Sequence, residues 1–494
     1  MIYLGIDVGT TSSKATAIDQ NGNVRAQAHG EYPVMRNSQG YAEIDPLAVW
    51  QTVKTVISRA AAQAGEPVKA IAVASFGESF VALDKHGSIL RNSLLYSDVR
   101  GTEEIQDILG KFDEQDLYGT TGMPVNAMYT LNKLLWVKKH EPELYSRIDK
   151  LFLFEDFIYY MLSGERCIDY SLASRTQFFD VMNHCWADRV LAAFEIDASM
   201  LSVPVAPGSL IGKVSANVAA DLNLSDGVLL IAGAHDQVCA ALGSGVLAKG
   251  ECIDGIGTSE CITAVLNGLD QREFMRRNNF CIEPYAIAGE YVTLAFNSSG
   301  ASILGWFCEQ FMKPQGIACA QSDFDLIESE CPAGPTNLFV LPHFAGSGTP
   351  HMDPYSTGAV LGLRLNTNRG DIYKALIEGL CFEMMFNAEL LESVGTSINS
   401  ITCVGGGSRS DMLLQVKADI MGIPVKRLMQ KESGTLALAM LCATACGDFS
   451  GLKEAAQIMV KTDKHFDPNP KNHQLYHERF SIYKNVYPNI LNLK

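Results

Sequence analysis

No cysteine occurs before Cys167, and the thirteen in the chain form no Cys-x-x-Cys pair and join no matching histidine cluster. That leaves no metal-finger spacing, and reduced thiols packed as small hydrophobes are the expectation. Positive charge is scarce: 39 Lys and Arg stand against 55 Asp and Glu, a formal net charge of −16. A surface built to follow a nucleic-acid backbone is thereby excluded, though binding of one nucleotide through backbone donors is not. No basic leader precedes the apolar opening MIYLGIDVGTTSSK, and the longest helix-like apolar stretch, roughly Leu436 to Cys446, is too short to cross a bilayer. A cytoplasmic enzyme without membrane contact is expected. Charged residues make up 19% and hydrophobic ones 47%, a balance that builds cores rather than disorder. At 494 residues the chain exceeds one core, so two domains are expected.

Two common phosphate-binding signatures are missing as well. Gly208 to Lys213 (GSLIGK) has too few residues between its glycines for a P-loop, and Val214 follows the lysine. Gly243-Ser244-Gly245 with Ala248 fits a dinucleotide fingerprint but does not open a strand–helix unit.

What is present begins with a meander. Ile2 to Ile6 and Lys14 to Ile18 read as strands around a tight turn, and Asn21-Gly22 leads into a third strand from Val24. A helix follows, with Asp45 as N-cap, Pro46 in its first turn, and Val49, Val53, Val56, Ile57 and Ala60 on one face. Gly65 ends it, and Lys69 to Ser75 is a strand. Halfway along, ECIDGIGTSECITAVL (Glu251 to Leu266) echoes LGIDVGTTSSKATAI: an Ile-Asp strand end, a Gly-Thr turn and an apolar strand leaving it. The copies, at Asp7 and Asp254, predict two domains of similar topology, each opening on a phosphate-sized hairpin. Further on, Asp371 caps a long apolar helix through Leu391, and Ser400 to Cys403 is a strand. Gly405-Gly406-Gly407 then turns the chain into a helix from Ser410 to Met421, a place that favours anions. Val425 to Leu428 is a strand and Leu436 to Cys446 a buried helix.

The first hairpin, DVGTTSSK, gathers a carboxylate, a flexible Gly9, hydroxyls and Lys14. Phosphates need such donors and a cation, and Asp7 can hold Mg²⁺ through water. LLIAGAHDQVCAALGSG is a buried strand that stops at Ala234 and presents His235, Asp236 and Gln237. Asp236 at a strand's carboxyl end is a candidate general base. His235, which precedes the turn and has no obvious carboxylate partner in sequence, reads as a packing residue or as a support for a residue that meets the ligand.

MYTLNKLLWVKKH (Met128 to His140), with Lys133 and Trp136, resembles the first signature of the FGGY family of carbohydrate kinases. GAVLGLRLNTNRGDIYKALIE (Gly358 to Glu378) resembles the second, with Leu376 a mild departure. VGGGSRSDMLLQVKADIMG and ESGTLALA resemble the family's adenosine segment. The resemblance, in order over the whole chain, implies an α/β fold of two actin-like, ribonuclease-H-like domains with an active-site cleft between them. Residues 1–245 would bind the sugar and 246–494 ATP, with a helical tail from about Ala456 free to pack back on the first domain.

Carried over, Asp7 would position Mg²⁺ and phosphate, and Thr10, Thr11 and Lys14 would attend the phosphates. Gly257 and Thr258 would form the second phosphate hairpin, with Gly300, Ala301, Gly406, Gly407 and Ser410 lining the nucleotide site. Asp236 would take the proton of the attacked hydroxyl. Gly77, Glu78, Tyr96, Asp98 and Gln237 would contact the sugar. Glycerol kinases have Gln-Arg-Glu where this chain has Phe76-Gly77-Glu78, and xylulokinases Gln-Met-His. Gly77 is therefore expected to leave space, and with Tyr96 and Met128 as walls a five- or six-carbon ketose or polyol is favoured over glycerol. Two other readings stay open: an actin-like ATPase, and a catalytically silent sugar-binding regulator. The oligomeric state is open too, a homodimer included.

Overall fold

The computed structural model describes residues 1–314, 317, 319–430 and 432–491. They form two compact units, the first made of Met1–Leu247, Cys281–Val292 and Glu432–Val460, the second of Ala248–Phe280, Thr293–Lys431 and Lys461–Lys494. A single boundary at 245–246 was expected from sequence; the chain instead returns to the first unit twice.

In unit 1, β1 (Ile2–Val8), β2 (Ser12–Asp19) and β3 (Val24–Glu31) form the expected antiparallel meander. The helix α1 (Pro46–Gln63) starts where Asp45 accepts from the Leu47 amide at 2.9 Å, and its apolar stripe is buried. Behind it β4 (Val68–Ser75) runs parallel to β1. The helix α2 (Phe154–Ser163), then β5 (Leu210–Lys213) and β6 (Leu229–His235) complete the unit's six-stranded sheet, in the order β5-β6-β4-β1-β2-β3. β6 is parallel to β4 but slips register between Ile231 and Ala234. A Cβ on Gly233 would lie 1.8 Å from the Val73 carbonyl oxygen, so only glycine fits the slip. The Tyr159 hydroxyl fills it, accepting from the Val73 and Gly233 amides at 2.8 and 3.0 Å and donating to the Ile231 carbonyl at 2.7 Å. This irregularity aims the end of β6, and α3 (Asp236–Gly243) begins at once.

Unit 2 repeats the plan. β7 (Glu251–Ile256), β8 (Glu260–Val265) and β9 (Tyr291–Asn297, its first two residues in unit 1) are followed by α4 (Ser302–Phe311) and α5 (Arg369–Ser393). β10 (Ser400–Val404), α6 (Asp411–Met421) and β11 (Val425–Leu428) come next. Two elements, the mostly buried α7 (Ser433–Ala445) in unit 1 and β12 (Thr462–Phe466), exposed except at Phe466, in unit 2, precede the helix α8 (Pro470–Tyr483). Unit 2's strands run β9-β8-β7-β10-β11-β12, with β7, β10 and β11 parallel to one another and β12 antiparallel at the edge. Read from the meander outward, this is unit 1's order, β3-β2-β1-β4-β6-β5. The sequence echo thus corresponds to a duplicated topology.

Three expectations are corrected. Asn368 rather than Asp371 caps α5: the two form a capping box, with Asn368 Oδ1 accepting from the Asp371 amide at 2.9 Å and Asp371 Oδ2 accepting from the Asn368 amide at 3.0 Å. The cysteines are not all free: Cys308 near the end of α4 is bonded to Cys319, their Cα atoms 6.4 Å apart, and the other eleven are free. The tail from 456 does not act as one piece. The helix Leu452–Met459 belongs to unit 1, while from Lys461 on the described chain is in unit 2. There Tyr476 and Tyr483 of α8 donate to Glu378 and Glu383 of α5 at 2.9 and 2.6 Å.

Candidate functional site

Because β1, β4 and β6 are parallel and in register (Asp7 beside Ala74, His235 beside Ser75), their carboxyl ends share one edge of unit 1. Asp7, the turn after β4 and Asp236 all open there, the edge at which α/β sheets bind ligands.

Asp7 is half-buried, and among the described residues no cation pairs with it. Burial, and then the neighbouring Asp236 carboxylate, push it up to about 7. Lys14, expected on phosphate, is paired with Glu432 at 2.6 Å. The hairpin itself is braced by Tyr32, whose hydroxyl donates to the Gly9 carbonyl at 2.6 Å. Thr11 is exposed at its tip, and burial, the largest influence on the Tyr96 hydroxyl, pushes it up while the neighbouring Thr10 side chain opposes the shift.

Glu78 holds a left-handed backbone, φ 65°, which a residue with a Cβ adopts only when its surroundings impose it. The Thr130 hydroxyl clamps its carbonyl at 2.7 Å. The buried Glu78 carboxylate accepts from Arg175 Nε at 2.6 Å and from Nη2 of the same guanidinium. Arg175 also lies over the Tyr129 ring, 5.2 Å from its centroid, and its Nη1 is 3.6 Å from Glu283 Oε2. The space expected beside Gly77 is therefore filled: a Cβ there would meet Arg175 Cγ at 2.9 Å. Met128, expected as a wall, is only partly buried, and it is Met123 whose sulfur lies 3.7 Å from Arg175 Nη1.

Asp98 is also not open to a ligand. Its carboxylate accepts from the Ala42 amide at 2.6 Å and from the Arg100 amide, Nε and Nη2 at 2.8, 2.9 and 2.6 Å, with no side-chain surface exposed. Burial pushes Asp98 up, but the Arg100 hydrogen bonds win and hold it below its ordinary value. Lys133 of the first signature donates to the carbonyls of Asp98 and Arg100, so this signature residue shapes the turn that carries Tyr96.

Asp236 is the first residue of α3 and a third exposed, with Gln237 beside it, also partly exposed. His235 proves to have a carboxylate partner after all. Its Nδ1 donates to Glu283 Oε1 at 2.8 Å, and its Nε2 lies 3.2 Å from Asp236 Oδ1. Burial opposes a charged ring, yet Glu283 and then Asp236 push His235 up to about 9. Arg175 and Glu283 are the residues that sequence reading missed. The one local signal for Glu283 is a lone carboxylate inside the apolar run FCIEPYAIA.

In unit 2 the hairpin between β7 and β8 is exposed at Gly257 and Thr258. Its carbonyls are clipped to the turn before α4: the Gly300 amide donates to Thr258 O at 2.7 Å, the Ala301 amide to Gly257 O at 2.8 Å. Those two amides are thus spent within the protein. A Cβ on Gly300 would lie 2.5 Å from the Ser259 backbone, which fixes glycine there. The Gly405–Gly407 turn sits against the same strand end, Gly405 with φ 86° and its Cβ position 2.7 Å from the Ile256 carbonyl oxygen. Gly406 alone faces open space. Ser410 caps α6, accepting from the Leu413 amide at 3.0 Å and donating to Glu328 at 2.7 Å, so its hydroxyl is committed too. Beneath the hairpin Lys417 is bonded to both Asp254 and Glu260, all three buried.

The sequence models of the FGGY family of carbohydrate kinases match on both sides, the N-terminal domain over residues 2–243 and the C-terminal domain over 255–446. A protein named xylulose kinase from Staphylococcus epidermidis is 29% identical over 491 residues, covering 98% of this chain and 96% of its own length. Crystal structures of a ligand-bound xylulose kinase and of a gluconate kinase, both from Lactobacillus acidophilus, superpose with TM-scores of 0.91 at 26% identity, each covering 99% of this chain and 98% of the other. The duplicated unit topology is accordingly the actin-like, ribonuclease-H-like one of these kinases. With both domains of one family matched, the chain belongs to the FGGY family of carbohydrate kinases.

Proposed function

We propose that this kinase transfers the γ-phosphoryl group of ATP to a hydroxyl of a neutral five- or six-carbon ketose or polyol, in the manner of a xylulokinase. The observation that carries the choice is the Glu78–Arg175 pair beside Asp236. Glu78, Asp236 and Glu283 bring three carboxylates to this edge, against the cations Arg175 and His235. Arg175 is already engaged by two of those carboxylates, so a sugar acid would meet excess negative charge, whereas hydroxyls can donate to Glu78 and Asp236. The relative named xylulose kinase agrees with this reading. A second reading, an aldonic acid held by Arg175, draws on the gluconate kinase neighbour and is the one the local charge disfavours.

Asp236 is assigned the general base, accepting the hydroxyl proton as the oxygen attacks the γ-phosphorus; such a base need not be strong, since phosphoryl transfer rests on positioning and charge stabilisation. Gln237 and Tyr96 orient the sugar, and Asp98 acts through the turn it holds rather than by contact. Thr10, Thr11 and Thr258 offer hydroxyls to phosphate, and Gly257, Gly406 and Gly407 supply a close backbone approach. Asp7, short of positive charge and raised to about 7, fits a cation, and would hold Mg²⁺ through water. When bound, that ion neutralises phosphate charge.

The test is ADP release measured with D-xylulose, other pentuloses, hexuloses, pentitols, glycerol and gluconate side by side. A neutral ketose or polyol of five or six carbons should give the highest kcat/KM. A clear lead for gluconate or glycerol overturns the substrate assignment, and ATP turnover that no sugar stimulates returns the chain to an ATPase or a regulator.

A further inference from the structure

We propose that Glu283 and His235 are positioning residues for Asp236, holding one of its carboxylate oxygens through an imidazole bridge so that the other faces the substrate hydroxyl. The proposal rests on the reading of Asp236 as the base.

The bridge is anchored on every side. His235 is buried, its amide donates to Ser171 Oγ at 2.8 Å, and Ser171 in turn donates to the buried Asp169. Its ring spans from Glu283 Oε1 at 2.8 Å to Asp236 Oδ1 at 3.2 Å. Glu283 is fully buried on a two-residue strand whose partners are Val292 and Tyr291. Its second oxygen makes no hydrogen bond and has only Arg175 Nη1, 3.6 Å away. A buried carboxylate with one orphaned oxygen is costly unless cations surround it. Here both cations that face it end on carboxylates of the candidate site, His235 on Asp236 and Arg175 on Glu78. Glu283 is therefore the shared support of the base and of the sugar-side carboxylate, supplied by a segment far from either in sequence.

Charge completes the argument. The groups facing His235 are Glu283, Asp236 and Arg175, with the Ser171 hydroxyl on its backbone side. The two carboxylates outweigh burial and Arg175 and keep the ring protonated to about pH 9. Doubly protonated, it donates to Glu283 and faces Asp236 as an ion pair at the same time. As pH rises through about 9 the Nε2 proton is lost, a lone pair then faces Asp236, and the carboxylate is released from its place. Turnover should fall on that alkaline limb.

The experiment compares kcat–pH profiles of wild type, Glu283→Gln and His235→Gln with the best neutral sugar, together with thermal melts. In E283Q the amide still accepts from Nδ1 but no longer stabilises the charge. The alkaline limb should therefore move from about 9 toward the ordinary histidine range near ~6.5, with kcat at pH 7 lower by about 10-fold. H235Q should lose the limb and about 10–100-fold in kcat, the scale of a misplaced reacting group, with KM for ATP within about threefold. Resonances of the wild-type His235 ring, followed by NMR without any turnover, should titrate near 9. A ring titrating in the ordinary range overturns the proposal, as do wild-type kcat and limb in both variants. Asp236→Asn separates the two claims: if it retains turnover the base assignment fails, whereas a dead D236N beside unaltered E283Q and H235Q removes only the positioning role. Should either variant fail to melt cooperatively, the wild-type titration decides alone.

Discussion

The two hairpins are copies in topology and opposites in charge. In unit 1 the loop from Gly9 to Ser12 leaves Asp7 half-exposed at the strand end, and the nearby Lys14 is drawn away to Glu432. In unit 2 the loop is one residue shorter, closed from Gly257 to Ser259, and the carboxylate of the repeat, Asp254, is buried and neutralised by Lys417. The sequence echo aligns Asp7 with Asp254. Aligning the turn glycines instead, Gly9 with Gly257, shifts the strands by one residue, which in a strand reverses the face. One copy keeps at the strand end a carboxylate without an ion-pair partner among the described residues; the other turns it inward as structure.

That contrast can be broken from either side. The largest effect belongs to the reactive edge of unit 1: Asp236→Asn should lower kcat by about 10²–10⁴ while calorimetric ADP affinity changes little, and near-normal turnover would remove Asp236 from the chemistry. In unit 2, Lys417→Met leaves Asp254 and Glu260 buried without their cation and should cost about 3–5 kcal/mol of stability. Lys14→Met, whose ion pair is about a quarter exposed on each side, should cost less than ~1 kcal/mol; equal losses in denaturant melts would erase the distinction. Thr258→Val, which deletes one exposed hydroxyl, should raise KM for ATP about 10-fold, the scale of a hydrogen bond to a charged group. A change in sugar KM instead reassigns that hairpin. Smallest is the change at one of two glycines: Gly406→Ala, facing open space, should stay within ~0.5 kcal/mol, whereas Gly300→Ala forces a clash with the Ser259 backbone and should cost about 1–3 kcal/mol.

Much of the frame was legible because it is written locally. The meander, α1 with Asp45 and Pro46, and the strand that stops before Asp236 all depend on residues close in sequence. What was illegible is what distant segments contribute. Arg175 reaches Glu78 across 97 positions, and Glu283 reaches His235 across 48. Neither sits in a motif, so Gly77 read as empty space and His235 as a packing or supporting residue without a carboxylate partner. Asp98 misled for the reverse reason: the sequence shows a carboxylate near the sugar side, but only the fold shows Arg100 and the Ala42 amide using all of it.

Unit 1 ends on a segment made late. Its first stretch is complete at Leu247, but α7, which lies on β1 closely enough that a Cβ on Gly5 would meet the Thr435 carbonyl oxygen at 2.6 Å, begins only at Ser433. At about 5–20 residues per second of synthesis, the unit's sheet face therefore waits on the order of 10–40 seconds on the ribosome for its cover. During that interval a nascent chain of this protein has an unfinished first unit, its sheet face uncovered until the residues from Ser433 on are made.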